Sequence, residues 1–122
     1  MSTLKVNTIQ NTSGGSSSTP EQIEQGRAKV WCAWNGDGTP SIYDSFNASS
    51  ITDNGTGDWT VNFSNSMSNS NYAYTWSSGG TIWNGNASYR SSSSLRCLGM
   101  GRGDSYGLHD SDIQCIAIFG DQ

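Results

Sequence analysis

From Arg27 onward, hydrophobic and polar positions alternate with a period of two over most of the chain. Val30, Cys32 and Trp34 share one side, with Trp31 and Ala33 on the other, which is the pattern of a half-buried strand. Asn35-Gly36-Asp37-Gly38 signals a turn, and Ser41–Phe46 reads as a second short strand. Residues 49–52 lead into Asp53-Asn54-Gly55-Thr56-Gly57, the strongest turn signal, because Asn and Gly accept a positive φ. Trp59, Val61 and Phe63 then alternate with Thr60 and Asn62, and Tyr72, Tyr74 and Trp76 repeat the pattern after a polar turn. Weaker strands are expected at 82–83, 88–90 and 94–98. The last strand, over 112–119, sets Ile113, Cys115, Ala117 and Phe119 against Gln114, Ile116 and Ile118. Both its sides carry apolar residues, which predicts a central strand or one at an interface. Short strands with turn signals about every 8–12 residues predict an all-β fold, a small β-sandwich or barrel, over residues 27–122.

Upstream the pattern changes. Over residues 2–12, Leu4 and Val6 alternate with Lys5 and Asn7, which predicts a short extended strand that docks elsewhere. Residues 13–18, Ser-Gly-Gly-Ser-Ser-Ser, read as a flexible linker. Thr19 suits a helix N-cap, Pro20 the first helical position, and Gln22 the third position of a capping box. With Gly26 as the stop, residues 19–26 form a short neck helix with Ile23 as its one apolar residue. A helix this short is unstable alone and needs neighbours, either the domain behind it or copies of itself around an axis.

Composition sharpens this picture. The chain has 122 residues, of which 33% are hydrophobic and 13% charged, with a net charge of −4. Serine, glycine, asparagine and threonine make up nearly half of it. That excludes a helical bundle, and the acidic balance argues against nucleic acid as a partner. No apolar run approaches the roughly 20 residues that cross a bilayer. Five Trp and five Tyr exclude an ordinary disordered chain. The polar start at Met1-Ser2-Thr3 predicts no secretory leader. Cys32, Cys97 and Cys115 make no closed disulfide set. Three buried free thiols are expected, with a Cys97–Cys115 bridge as the alternative. A domain of about 95 residues buries limited surface. Without disulfides or metal, oligomerisation is the expected support.

Met1-Ser2-Thr3-Leu4-Lys5-Val6-Asn7-Thr8-Ile9-Gln10-Asn11-Thr12-Ser13-Gly14 resembles the virion-attachment start of tail-fibre-like proteins from marine and cyanobacterial phages. The stretches from Ser18 to Pro40 and from Ser45 to Ser64 are similar to the same group. The second contains Ser-Ile-Thr-Asp-Asn-Gly-Thr-Gly-Asp-Trp-Thr-Val-Asn-Phe, close to that family's repeated core. Ile116-Ala117-Ile118-Phe119-Gly120-Asp121 is like its last strand. The resemblance is strong over residues 1–64 and 113–121 and weak over 65–112. Where the family has Trp-Val-Asn-Phe-Asn-Gly, this chain has Trp31-Cys32-Ala33-Trp34-Asn35-Gly36. The resemblance implies a homotrimeric virion protein, made in the host cytoplasm and carried on the particle. Leu4, Val6 and Ile9 would anchor it to a tail or capsid component. A lectin-like sandwich head would touch host-surface polysaccharide. The short chain fits a short fibre or a tip rather than a long shaft.

Sugars present flat apolar faces to aromatic rings and hydroxyl edges to polar side chains. The stretch of weak resemblance carries Trp83, Asn84, Tyr89, Arg102, Asp104, Tyr106 and His109, which are the candidate glycan-binding residues. Arg102-Gly103-Asp104 as an integrin tripeptide is a chance match in a Gly-rich chain. Asp104, Asp110, Asp112, Asp53 and Asp58 could supply paired carboxylates for a polysaccharide depolymerase, but turn roles explain Asp53 and Asp58 more simply. No nucleophile motif is present, and His109 beside Asp110 is thin ground for a triad. Asp110-Ser111-Asp112 could contribute to a Ca²⁺ loop, though a solvated acidic loop is the simpler reading. The expectation is therefore reversible binding, without catalysis, cofactor, metal or membrane insertion. A decoration protein of the capsid or tail with no receptor role is the rival, and a depolymerase the third reading.

Overall fold

The computed structural model describes residues 1–79, 82–84, 89–101 and 107–122, with the backbone alone for 82–84. Among these residues one short helix, α1 (Pro20–Gly26), precedes nine strands: β1 (Val30–Asn35), β2 (Ser41–Phe46), β3 (Ala48–Gly55), β4 (Asp58–Phe63), β5 (Ala73–Ser78), β6 (Ile82–Asn84), β7 (Tyr89–Arg90), β8 (Ser94–Gly101) and β9 (Gln114–Phe119). They build two antiparallel sheets. One has the order β2-β1-β9-β5. The other has the order β3-β4-β8-β6, with β7 also on β8. The fold is an all-β sandwich, as the alternation predicts.

The strand periodicity decides the core. Val30, Cys32 and Trp34 of β1 and Ile116 and Ile118 of β9 are buried against Trp59, Val61 and Phe63 of β4 and Leu95 and Cys97 of β8. Trp34 meets Trp59 across the sandwich in an edge-on contact with ring centroids 6.3 Å apart. Phe63 meets Tyr72 in the same manner at 6.0 Å. Gln114 enters this core because its Oε1 accepts the indole N–H of Trp76 at 2.9 Å. β9 is the interior strand that its two apolar sides require, between β1 and β5.

The three cysteines are free. Cys32 and Cys97 point into the core, whereas Cys115 lies on the opposite side of β9 and is only half-buried. The Cys97–Cys115 bridge is therefore not formed, and one of the three thiols is more open than expected. Burial pushes the Cys32 thiol up to about 11 and the Cys97 thiol up to about 12, which makes both inert.

The strands define two poles. β1 enters at one pole from α1 and leaves at the other through Gly36, whose amide bonds the Ser111 carbonyl at 2.9 Å. Asn47, in the left-handed region at φ 57°, carries the chain from β2 of one sheet to β3 of the other at the helix pole. Its side-chain amide donates to the carbonyls of Lys29 and Asn65.

Helix α1 has the expected boundaries. Thr19 Oγ1 accepts from the Gln22 amide at 3.2 Å and Gln22 Oε1 accepts from the Thr19 amide at 2.9 Å, a complete capping box. No residue of α1 is buried. It is tied to the head at its C-terminal end by Gln25, which donates to Asp121 at 2.7 Å, and by Lys29. Lys29 is 2% exposed; its ammonium bonds the Glu24 carbonyl and lies 3.2 Å from the Glu24 carboxylate.

The leading strand expected over residues 2–12 is reduced to one bridge, Ile9 with Ser18. Alternation of Leu4 and Val6 supplied the pattern of a strand but no neighbouring strand to complete its ladder. Residues 13–18, expected as an open linker, turn back instead. The Gly14 amide bonds the Asn11 carbonyl, and the Asn11 side chain accepts from the Gly15 amide at 2.8 Å.

Candidate functional site

The pole opposite α1 gathers the turns of both sheets. Among them, residues 107–113 are pinned from several directions. Leu108 bridges Met100 at the end of β8. The His109 amide donates to the Gly99 carbonyl at 3.0 Å. The Asp110 carboxylate accepts from the Gly57 amide at 2.7 Å. Ser111 Oγ donates to the Gly79 carbonyl at 2.8 Å, and Tyr43 Oη donates to the Asp112 carbonyl at 2.9 Å. This loop thus closes the end of the sandwich and is shaped by five other segments, the Gly36 turn included.

Two glycines make that closure possible. Gly57 has φ +65°, and a Cβ there would lie 2.5 Å from the His109 amide nitrogen and 2.7 Å from the Gly99 carbonyl. Gly101 leaves room for the His109 imidazole beside the backbone, since a Cβ there would meet its Cδ2 at 2.1 Å. The His109 side chain remains exposed.

Three of the sequence candidates converge here. β6 pairs with the end of β8, Trp83 opposite Met100 and Asn84 opposite Gly99, and Gly99 is the residue whose carbonyl holds His109. Trp83 and Asn84 are placed by their backbone only. Arg102, Asp104 and Tyr106 lie outside the described residues.

Tyr89 sits elsewhere. It pairs with Arg96 lower on β8 and faces outward, 63% exposed. The Arg96 guanidinium lies over its ring at 5.1 Å, a cation–π contact. Arg96 is in turn held by both carboxylate oxygens of Asp58, with Nε donating at 2.7 Å. Asn54 donates to Asp58 at 3.2 Å and to Thr60 at 2.8 Å. Asp58 is thus the anchor of an outward-facing polar network, not the turn residue expected from sequence. Asp53 does keep a turn role, accepting from the Gly55 amide. Tyr43 and the Asp58–Arg96 pair were missed. A Tyr within a six-residue strand and an Asp next to a turn carry no signal of pairing with residues 38–69 positions away.

The Arg96 hydrogen bonds hold the Asp58 carboxyl below the usual carboxylate range, against the opposing effect of burial and with help from Asn54. A carboxyl depressed in the folded state gives stability that is complete above the unfolded value of about 4 and is lost as pH falls through the folded value. In Arg96→Met the Asp58 carboxyl keeps its burial and loses its partner. Acid unfolding should then begin at a higher pH than in the wild type. Urea midpoints followed from neutral to acid pH check this, and superimposable curves would remove the pair from the account.

At the helix pole the candidates Leu4, Val6 and Ile9 are all exposed. With Pro20 and Ile23 they line a groove of about 560 Å³, edged by Lys5, Asn7 and Glu24. Among the described residues, no cluster of three or more His, Cys, Asp or Glu side chains is arranged to hold a metal ion. No helix among them is long and apolar enough to cross a membrane. No protein-family model, curated protein or solved structure matches this chain.

Proposed function

We propose that the chain is a non-catalytic attachment protein of a bacterial-virus particle, a short tail fibre or fibre tip assembled as a homotrimer. Its N-terminal segment docks on a tail or capsid component through Leu4, Val6 and Ile9. The opposite pole touches host-surface polysaccharide. The observation that carries this reading is the separation of the two ends. Apolar side chains without cover occupy one pole, and the closed loop cluster with His109 and β6 occupies the other. A protein that joins two bodies needs two such surfaces facing apart. The resemblance of residues 1–64 and 113–121 to phage tail-fibre-like proteins supports the same assignment. Each sugar contact is weak, and three copies on one axis multiply affinity by roughly 10²–10⁴.

The test mixes the labelled protein with host cells, with purified host-surface polysaccharide, and with particles that lack the protein. Saturable binding to cells and polysaccharide is expected, weakened by Trp83→Ala and by His109→Ala. Deletion of residues 1–12 should abolish binding to particles and leave the melting temperature unchanged, because that segment contributes nothing buried to the head. Binding to particles alone would replace this reading with a decoration protein. Release of reducing sugar from the polysaccharide would replace it with a depolymerase.

A further inference from the structure

The two outer faces of the sandwich differ in kind. In register, directly opposed residues of neighbouring strands share a face. On one sheet the outer rows run Thr52–Thr60–Arg96–Tyr89 and Ser50–Asn62–Ser94. This is the polar face that an antiparallel sheet turns to water. On the other sheet they run Phe46–Trp31–Ala117–Thr75 and Asp44–Ala33–Cys115–Ser77, with Phe119 beside Ala73. Trp31 is 37% exposed and Phe46 52% exposed at the centre and edge of that surface. An apolar sheet face is a surface that a partner covers.

We propose that copies of this chain meet through the outer face of β2-β1-β9-β5. In the trimer suggested above, on which this inference rests, each copy turns that face toward the axis and packs against its neighbours there. Charge selects this occupant. Each copy carries a net −4, so like copies repel unless they meet where charge is least. These rows hold a single charged residue, Asp44, on the edge strand. A charged partner has only Asp44 to pair with, and a glycan finds few hydrogen-bonding side chains.

Size supplies the second argument. Four strands spaced by about 4.8 Å, each six residues long at about 3.3 Å per residue, give a footprint of about 380 Å². That is about half of the roughly 800 Å² that each partner contributes to a stable interface. The face therefore needs an extension, and α1 provides it. Its one apolar side chain, Ile23, is exposed. The helix joins the head through Lys29, two residues before Trp31.

The experiment measures the molar mass of the full chain by light scattering and the alkylation rate of Cys115. Cys115 lies in the row beside Ala33, while Cys32 and Cys97 are buried and serve as unreactive controls. The wild type should have the mass of three chains and a slow Cys115. Trp31→Glu and, separately, Phe46→Glu should have the mass of one chain, an unchanged β-sheet circular dichroism spectrum and a fast Cys115. Tyr89→Glu, on the opposite face, should remain a trimer. A wild type with the mass of one chain, or Trp31→Glu and Phe46→Glu variants that both stay trimeric with a slow Cys115, would overturn the proposal. Loss of assembly in both variants, in a protein that binds neither cells nor particles, would keep this interface and discard the attachment function.

Discussion

Trp59→Ala is expected to lower the free energy of unfolding by about 3–5 kcal/mol. The side chain is 1% exposed and meets Trp34 edge-on across the two sheets. Its ring also lies against Gly36, where a Cβ would come within 2.7 Å of it. The gap left by the indole would be walled by Trp34 and by the Gly36 turn. That turn is fixed to Ser111 and cannot move in to fill the space. Domains of this size are stable by about 5–15 kcal/mol, so this one substitution removes a large share. The urea midpoint should fall with the slope unchanged, and an unmoved midpoint would mean that the core does not sit between β1 and β4.

Gly57→Ala should be nearly as costly, at about 2–5 kcal/mol, by a different route. The left-handed backbone at φ +65° costs an L-residue roughly 1–2 kcal/mol. Overpacking adds roughly 1–3 kcal/mol, because the new Cβ meets the His109 amide and the Gly99 carbonyl, both backbone. Neither can swing aside as a side chain would. The damage should be local as well as global. Amide exchange of His109 and Gly99 should accelerate beyond the loss of global stability, while Val61, deep in β4, follows the global value. Uniform acceleration would mean that the 107–113 loop is not fastened through Gly57.

The contrast between these two positions explains what the sequence could reveal. Trp59, Val61 and Phe63 announce a strand because two-residue alternation is a local property, and the burial of all three follows from it. The same logic predicts a strand at Leu4 and Val6, where the alternation is as clean but, among the described residues, no strand of this chain pairs with it. Pairing is not local, and a pattern cannot report a missing neighbour. β9 shows the limit from the other side. Both of its faces are apolar, so alternation alone leaves open which is inward. By polarity Gln114 marks its own side as outer, yet the Trp76 indole satisfies its side-chain carbonyl inside the core. The candidate site was legible in part. His109 and the β6 residues come together at one pole, but through backbone pairing with Gly99 that no motif encodes. Tyr89, a candidate ring for sugar by its sequence context, lies on a sheet face with Arg96 across it. The salt bridge behind it joins residues 38 positions apart.

The route by which α1 enters the sandwich has a mechanical consequence. The helix is fastened at Lys29, immediately before β1, and β1 lies between β2 and β9 with both edges paired. Its hydrogen bonds run perpendicular to the strand. A pull on residues 1–26 with the opposite pole held fast acts along the strand axis, across every one of those bonds together. The ladder is therefore loaded in shear and resists as a unit, whereas an edge strand drawn sideways would peel one bond at a time. The N-terminal segment thus leads into a strand placed to bear tension.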